Sequence, residues 1–283
     1  MKKKTKKKII THTFAHIFLI VASLVAIYPI LWIFNTSINA DNSMFTSDLR
    51  IIPKNPTIQN YIQIFKQGDF LIWIKNSTII ALSTTVISIM IGIISAYAYS
   101  RMRFKGRSFG LGMFLLLNAF PSILSIVAIY RLFSYLGLIN TSLGLVIIYT
   151  SWQMVFSVWN LKGYLDTIPK EIEESALIDG ASAFKVFTKI IIPLSKPAIA
   201  VTALFAFLAS WNEYIVGMVF ITDKFKYTLP IGLYNLQSTS SQYATNWTLF
   251  AAGSLIIALP IAVIFIVLQK YLISGLTIGG VKG

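Results

Sequence analysis

Apolar residues along this chain come in long blocks rather than in the alternation of half-buried strands. Six blocks of roughly twenty residues stand out, at 14–34, 77–99, 109–130, 142–161, 198–220 and 248–268. Each carries at most one charged residue. About twenty such residues, rising 1.5 Å each, cross some 30 Å of hydrocarbon as a helix. Backbone groups in lipid find partners only within the chain, so the pattern predicts six transmembrane helices. A barrel needs alternating ten-residue segments, which are not seen. The first block is longer than a signal-peptide core and lacks a small-x-small cleavage site after it, which predicts an uncleaved first helix.

Composition agrees. Hydrophobic residues make up 56% of the 283 and charged residues only 12%, about half the charge of an ordinary soluble domain. There is no cysteine, which excludes disulfides, thiolate metal sites and cysteine nucleophiles. A net charge of +14 would suit a nucleic-acid binder, but its placement argues for a membrane instead. Six lysines (Lys2, Lys3, Lys4, Lys6, Lys7 and Lys8) precede the first apolar block, where they fix orientation and meet anionic lipid. Of the 24 lysines and arginines, six lie in 1–13, four in 100–108, five in 162–197 and two in 269–283. These are alternate connections, so the bias places both termini in the cytoplasm. His12 and His16 are spaced to chelate a metal on a helix, but no third ligand accompanies them, and interfacial anchoring is the better reading.

Prolines at Pro29, Pro121 and Pro260 fall inside predicted spans, where each removes a helix hydrogen bond and favours a kink. Polar residues within or beside spans (Asn118, Gln153, Asn160, Trp211, Asn212 and Glu213) are candidates for a pathway or for helix–helix contacts. A neutral, hydroxyl-rich solute would need such hydrogen-bonding and aromatic groups rather than charge.

The connection 162–197 differs from the rest. It holds five of the ten acidic residues and an amphipathic pattern. Asp166 or Thr167 can cap a helix with Pro169 in its first turn. Glu171, Glu173 and Glu174 suit that helix's positive end. Asp179-Gly180 breaks it, and a second helix follows with Phe184, Phe187 and Ile191 on one face, closed by Pro193. Two readings stand: a knob that docks in a partner's groove, or a loop lying on the membrane surface.

This segment resembles the "EAA" loop of ATP-binding cassette (ABC) importer permeases. The pattern is Glu-Ala-Ala, three residues, Gly, nine residues, Ile-x-Leu-Pro; the chain has Glu174-Ser175-Ala176, Gly180 and Ile190-Ile191-Ile192-Pro193. Residues 96–106 are similar to the end of the second helix in carbohydrate permeases, and 120–130 to the third helix of the maltose and maltodextrin subgroup. The ending 274–283 is similar to that of the second, MalG-type permease. The resemblance implies an all-α integral membrane protein of the type-1 importer permease fold, with a coupling loop between helices 4 and 5. It divides the chain into residues 1–71 (basic N-terminus, first helix, outer loop), a core at 72–269, and a cytoplasmic tail at 270–283.

In the family the loop inserts into a cleft on the ATPase. That implies coupling roles for Ile172, Glu174, Ala176, Asp179, Gly180, Phe187 and Pro193. The tail's Gly279, Gly280 and Lys282 would reach the ATPase dimer. The implied partners are a homologous second permease, two ATPase copies and an extracellular sugar-binding protein. The implied cargo is a maltodextrin-like or other oligosaccharide, arabinogalactan oligomers among them. The segment 222–247 would face the binding protein. The chain lacks a GxxxxGK[ST] loop, so it is expected to bind no cofactor and to be no enzyme; ATP would be used by the partner. A secondary transporter would need paired intramembrane acids, and Glu213 is the one acid inside a predicted span.

Overall fold

Helices satisfy their own backbone groups, and among the described residues the regular structure is helical, apart from one isolated bridge between Asn39 and Pro56. The computed structural model describes residues 2–42, 52–66, 69–119, 121–239 and 246–278. In chain order the helices are α1 (Lys2–Ser37), α2 (Gln59–Lys66), α3 (Phe70–Arg101), α4 (Arg107–Ala119), α5 (Ser122–Tyr135) and α6 (Ser142–Leu165). There follow α7 (Glu171–Ile178), α8 (Ala183–Val186), a π-turn at Phe187–Ile191, α9 (Ile192–Leu194) and α10 (Lys196–Trp211). The last are α11 (Ile215–Phe220), a 3-10 turn at Lys224–Lys226, α12 (Leu229–Thr239) and α13 (Trp247–Ile278).

Four of these, α1, α3, α6 and α13, contain apolar stretches long enough to cross a membrane unbroken. The sequence predicts six continuous spans, and two of them prove to be broken. The block 109–130 is divided into α4 and α5, whose axes turn by 102°. Pro121, extended at φ −61° and ψ 111°, stands immediately before α5, because it has no N–H to continue a ladder. The block 198–220 is divided into α10 and α11. Sixteen residues of α10 span about 24 Å, less than the hydrocarbon thickness.

Polar side chains make the second break tolerable. Asn212 ends α10 by directing both its backbone N–H and its side-chain amide to the Leu208 carbonyl (3.1 and 3.0 Å). Glu213 accepts from the Val216 and Gly217 N–H groups (2.9 and 3.1 Å), satisfying donors that open α11. Pro29 and Pro260, by contrast, lie inside continuous helices.

The chain forms two units. One comprises Met1–Gly68 and Leu233–Leu259. Within it Asn60 is the tie. Its amide nitrogen donates to the Ser37 and Asn39 carbonyls (2.9 and 2.8 Å), and its oxygen accepts from Thr248 (3.3 Å). Ile64 of α2 and Leu233 close over Gly253 of α13.

The other unit comprises Asp69–Gly232 and Pro260–Gly283, and α3, α6 and α10 pack together in it. The buried face of α3 is a run of small residues at three- or four-residue spacing: Ser77, Ala81, Thr84, Ser88, Gly92, Ala96 and Ser100. Small residues let membrane helices approach closely, where the gain is packing rather than expulsion of water. One apolar cluster gathers Ile80, Val146, Tyr149, Phe220 and Ile231. Another gathers Ile93, Leu161, Leu165, Val186, Ile191 and Ala198, and binds the 162–197 connection to α3.

The segment after α11 is clamped from two sides. Asn140, left-handed at φ 59°, accepts the Thr222 and Asp223 N–H groups (3.2 and 3.1 Å). Asn76 donates to the Phe225 and Tyr227 carbonyls (2.9 and 3.0 Å), and the Trp73 indole donates to the Lys224 carbonyl (2.9 Å).

Candidate functional site

The connection 162–197 folds as a bent elbow. Its first limb is α7, whose opening turn carries Glu171, Glu173 and Glu174 as expected. The cap differs from expectation. Asp166 terminates α6, α7 starts after Lys170 without a side-chain cap, and Pro169 lies just outside the helix. At the bend, Ala181 N–H reaches the Ala176 carbonyl and Gly180 N–H the Leu177 carbonyl, both at 3.0 Å. These two bonds are a Schellman closure, which needs a left-handed residue at its centre; Gly180 supplies it at φ +84°. The Ser182 hydroxyl caps the second limb by accepting from Lys185 N–H.

That limb is not one regular helix. The π-turn at Phe187–Ile191 alters the phase, so the expected shared face of Phe184, Phe187 and Ile191 is not formed. Phe184 is 76% exposed, Phe187 packs on Tyr97 with ring centres 4.9 Å apart, and Ile191 is fully buried. Pro193 sits in the first turn of α9 rather than closing the unit; the chain then turns by 72° into α10 at Ser195. Exposed apolar side chains gather on the elbow: Ile172, Leu177, Ile178 and Phe184. Glu174 and Asp179 are exposed and Ala176 is half-buried.

Beneath the elbow lies an ionic network that sequence reading missed. Arg101, the last residue of α3, pairs through Nε with Glu173 Oε1 at 2.5 Å, both side chains being only 9% exposed. Its Nη2 donates to the Ile168 carbonyl (2.9 Å) and its Nη1 to Ser100 Oγ (3.1 Å). Tyr97 donates to the other Glu173 oxygen (3.0 Å). Asp166 accepts from Ser100 and Lys162, each at 2.6 Å. The acid singled out by the sequence motif, Glu174, is the exposed neighbour of the acid that is buried and paired.

Partial burial works against ionisation of Asp166, but the bonds from Lys162 and Ser100, with the charges of Lys162 and Arg101, outweigh it and hold its carboxyl below the ordinary aspartate value. A lowered folded-state value means stability that is present above that pH and lost as pH falls through the lowered value. Thermal unfolding of the solubilised protein at falling pH should therefore show an acid-induced loss near and below pH 4. In Asp166→Asn that limb should be flatter; an identical acid limb would remove Asp166 from the account.

The pathway candidates are spread over several helices. Asn118 is exposed near the end of α4, and Gln153 is half-buried on α6. Trp211 is buried and stacked on Phe207 with centres 5.2 Å apart. Asn212 is exposed at the α10 terminus. Glu213 accepts a 2.6 Å bond from Tyr149 in addition to the α11 N–H groups. Asn160 donates to Thr202 (2.9 Å), joining α6 to α10. The tail residues Gly279, Gly280 and Lys282 lie outside the described residues, as do 240–245 of the segment 222–247.

Residues 88–277, which include the whole elbow and the network's Arg101, match the family described as the binding-protein-dependent transport system inner membrane component. The chain belongs to this family. It is an ABC importer permease, a multi-pass membrane protein and not an enzyme. Among similar proteins is the galactooligosaccharide transport permease GanQ of Bacillus subtilis, 39% identical over 95% of each chain. The maltodextrin transport permease MdxG of the same organism is 36% identical over 95% of each. The trehalose/maltose permease MalG of Thermococcus litoralis is 34% identical, over 93% of this chain and 94% of that one. A bacterial ABC transporter that imports the acidic polysaccharide alginate has a chain of the same fold. Its TM-score is 0.79 at 23% identity, over 93% of this permease and 96% of that chain.

Proposed function

We propose that this permease is one of two homologous membrane subunits of an ATP-driven importer of short oligosaccharides. Its elbow is gripped by a separate ATPase, and its opposite face receives an extracellular sugar-binding protein. Both termini are cytoplasmic in this reading, and the tail with Gly279, Gly280 and Lys282 reaches toward the ATPase. The observation that carries it is the family match across 88–277, a stretch whose elbow presents exposed apolar side chains around a glycine-locked bend. Ile172, Glu174, Ala176, Asp179, Gly180, Phe187 and Pro193 form or support that contact.

Maltodextrin-type sugars are one reading of the cargo, favoured by the relatives named for maltodextrin and maltose. Galactooligosaccharides are the second, favoured by the identity to GanQ. The complete importer in proteoliposomes should accumulate a labelled oligosaccharide only with ATP at the ATPase face and binding protein at the other. Unlabelled maltotriose and galactobiose compete for that uptake, and the stronger competitor names the cargo. Accumulation that persists after the ATPase subunits are stripped away would sink the importer reading.

A further inference from the structure

Covalent connection joins the elbow to α6 through residues 166–170 and to α10 through the bend at Ser195. It does not join the elbow to α3. The buried ionic network does so from the first limb, and the Tyr97 ring and the apolar cluster do so from the second.

Tyr97 and Arg101 are one turn apart on α3, so their side chains leave the same face of the helix. Between them they engage both oxygens of Glu173 in the first limb. Arg101 also takes the Ile168 carbonyl ahead of that limb, and the Tyr97 ring lies on Phe187 in the second. The guanidinium is thus fixed by a fork of donors to three different acceptors, a geometry a flexible ammonium cannot copy. Separating a buried, hydrogen-bonded ion pair leaves two charges without solvent. The elbow therefore cannot slide across the end of α3 without breaking the network, and any displacement of one is imposed on the other.

We propose that Arg101 and Glu173 are a positioning pair that makes α3 a direct receiver of elbow motion, in parallel with α10. The pair carries a share of the coupling between ATP hydrolysis and sugar movement. This rests on the reading of the elbow as the ATPase-gripped site. It assigns the function to Glu173 and Arg101 beneath the elbow's surface, apart from whatever the exposed Glu174 contacts.

The test uses the complete importer in proteoliposomes and reads sugar imported per ATP hydrolysed, together with the yield of assembled complex. Glu173→Gln keeps the size of the side chain and one accepting oxygen, and removes its charge and its second acceptor. It should assemble and hydrolyse ATP while the ratio falls about tenfold, the scale of one charged hydrogen bond. Arg101→Lys should fall between that variant and wild type, and Tyr97→Phe should lower the ratio about twofold to threefold.

An unchanged ratio in Glu173→Gln, or uptake and hydrolysis falling in step, overturns the proposal. If Glu173→Gln does not assemble, Arg101→Lys decides, because it keeps the charge and loses the fork; an unchanged ratio there overturns it equally. A wild-type complex that hydrolyses ATP without importing sugar overturns the importer reading itself, and the pair with it.

Discussion

Replacing Gly180 by valine should cut uptake about tenfold or more and leave the permease folded in the membrane. Apart from Gly180 and its two chain neighbours, nothing packs within 4 Å of where a Cβ would sit, so the substitution meets no steric wall from the surrounding side chains. The strain is in the backbone. At φ +84° a side-chain-bearing residue loses roughly 1–2 kcal/mol, and a β-branched one more. The chain relieves that strain by opening the Schellman closure, which frees the Ala176 and Leu177 carbonyls and swings the second limb.

The spans do not depend on this turn, so insertion and yield should match wild type. Uptake should fall about tenfold or more, since 1–2 kcal/mol spent at the bend is lost from the docked geometry. Asparagine tolerates the left-handed region, so Gly180→Asn should retain most of the uptake. Valine and asparagine variants with equal uptake would show that the bend's conformation is irrelevant.

Gly180 illustrates which parts of the fold could be read before the structure. A glycine after an acidic amphipathic turn announces a helix stop from local chemistry alone, and both the bend and the acidic opening of α7 were legible. So were the long apolar blocks, because a helix crossing lipid depends on length and composition and little else. The breaks in the third and fifth spans were less legible. Pro121 was visible as a perturbation, but how far the helix turns at a proline is decided by what packs around it. Asn212 and Glu213 read as pathway or contact residues. Their capping of α10 and α11 becomes visible only when the chain is seen to stop there.

The network under the elbow was hidden for another reason. Arg101 and Glu173 are 72 residues apart, and nothing local distinguishes Glu173 from Glu171 or Glu174. Helical phase decides it: α7 turns Glu173 inward and leaves Glu171 and Glu174 exposed. The phase depends on where α7 begins, and the sequence suggested a cap at Asp166 or Thr167 that the helix does not use. The face expected for Phe184, Phe187 and Ile191 failed similarly, because the π-turn shifts the phase within one turn.

The position of Arg101 is itself set further up α3, and the seam with α6 is where a small change should tell. A methyl group on Gly92 would lie 2.9 Å from the Ser157 Cβ and 3.3 Å from Leu161 Cδ1. Neither neighbour has room to yield, since Ser157 and Leu161 are fully buried. Gly92→Ala gains helix propensity, yet overpacking of this kind costs about 1–3 kcal/mol and should dominate. Gly92→Leu should cost more and reduce the amount of folded protein.

Ser157→Gly removes the clashing atom, and the Ser157 hydroxyl makes no hydrogen bond that would be lost with it. Alone it destabilises by about 0.5 kcal/mol or less through helix propensity. In the Gly92→Ala background it should restore stability, so that the pair costs less than the two single changes together by more than about 0.5 kcal/mol. Thermal unfolding of the solubilised permease measures all four corners. Strict additivity would mean that α3 and α6 part easily at this point. Ala96 and Ser100 follow Gly92 on the same stripe and Arg101 comes next, so a seam that parts easily could not hold the Arg101 guanidinium in register with Glu173.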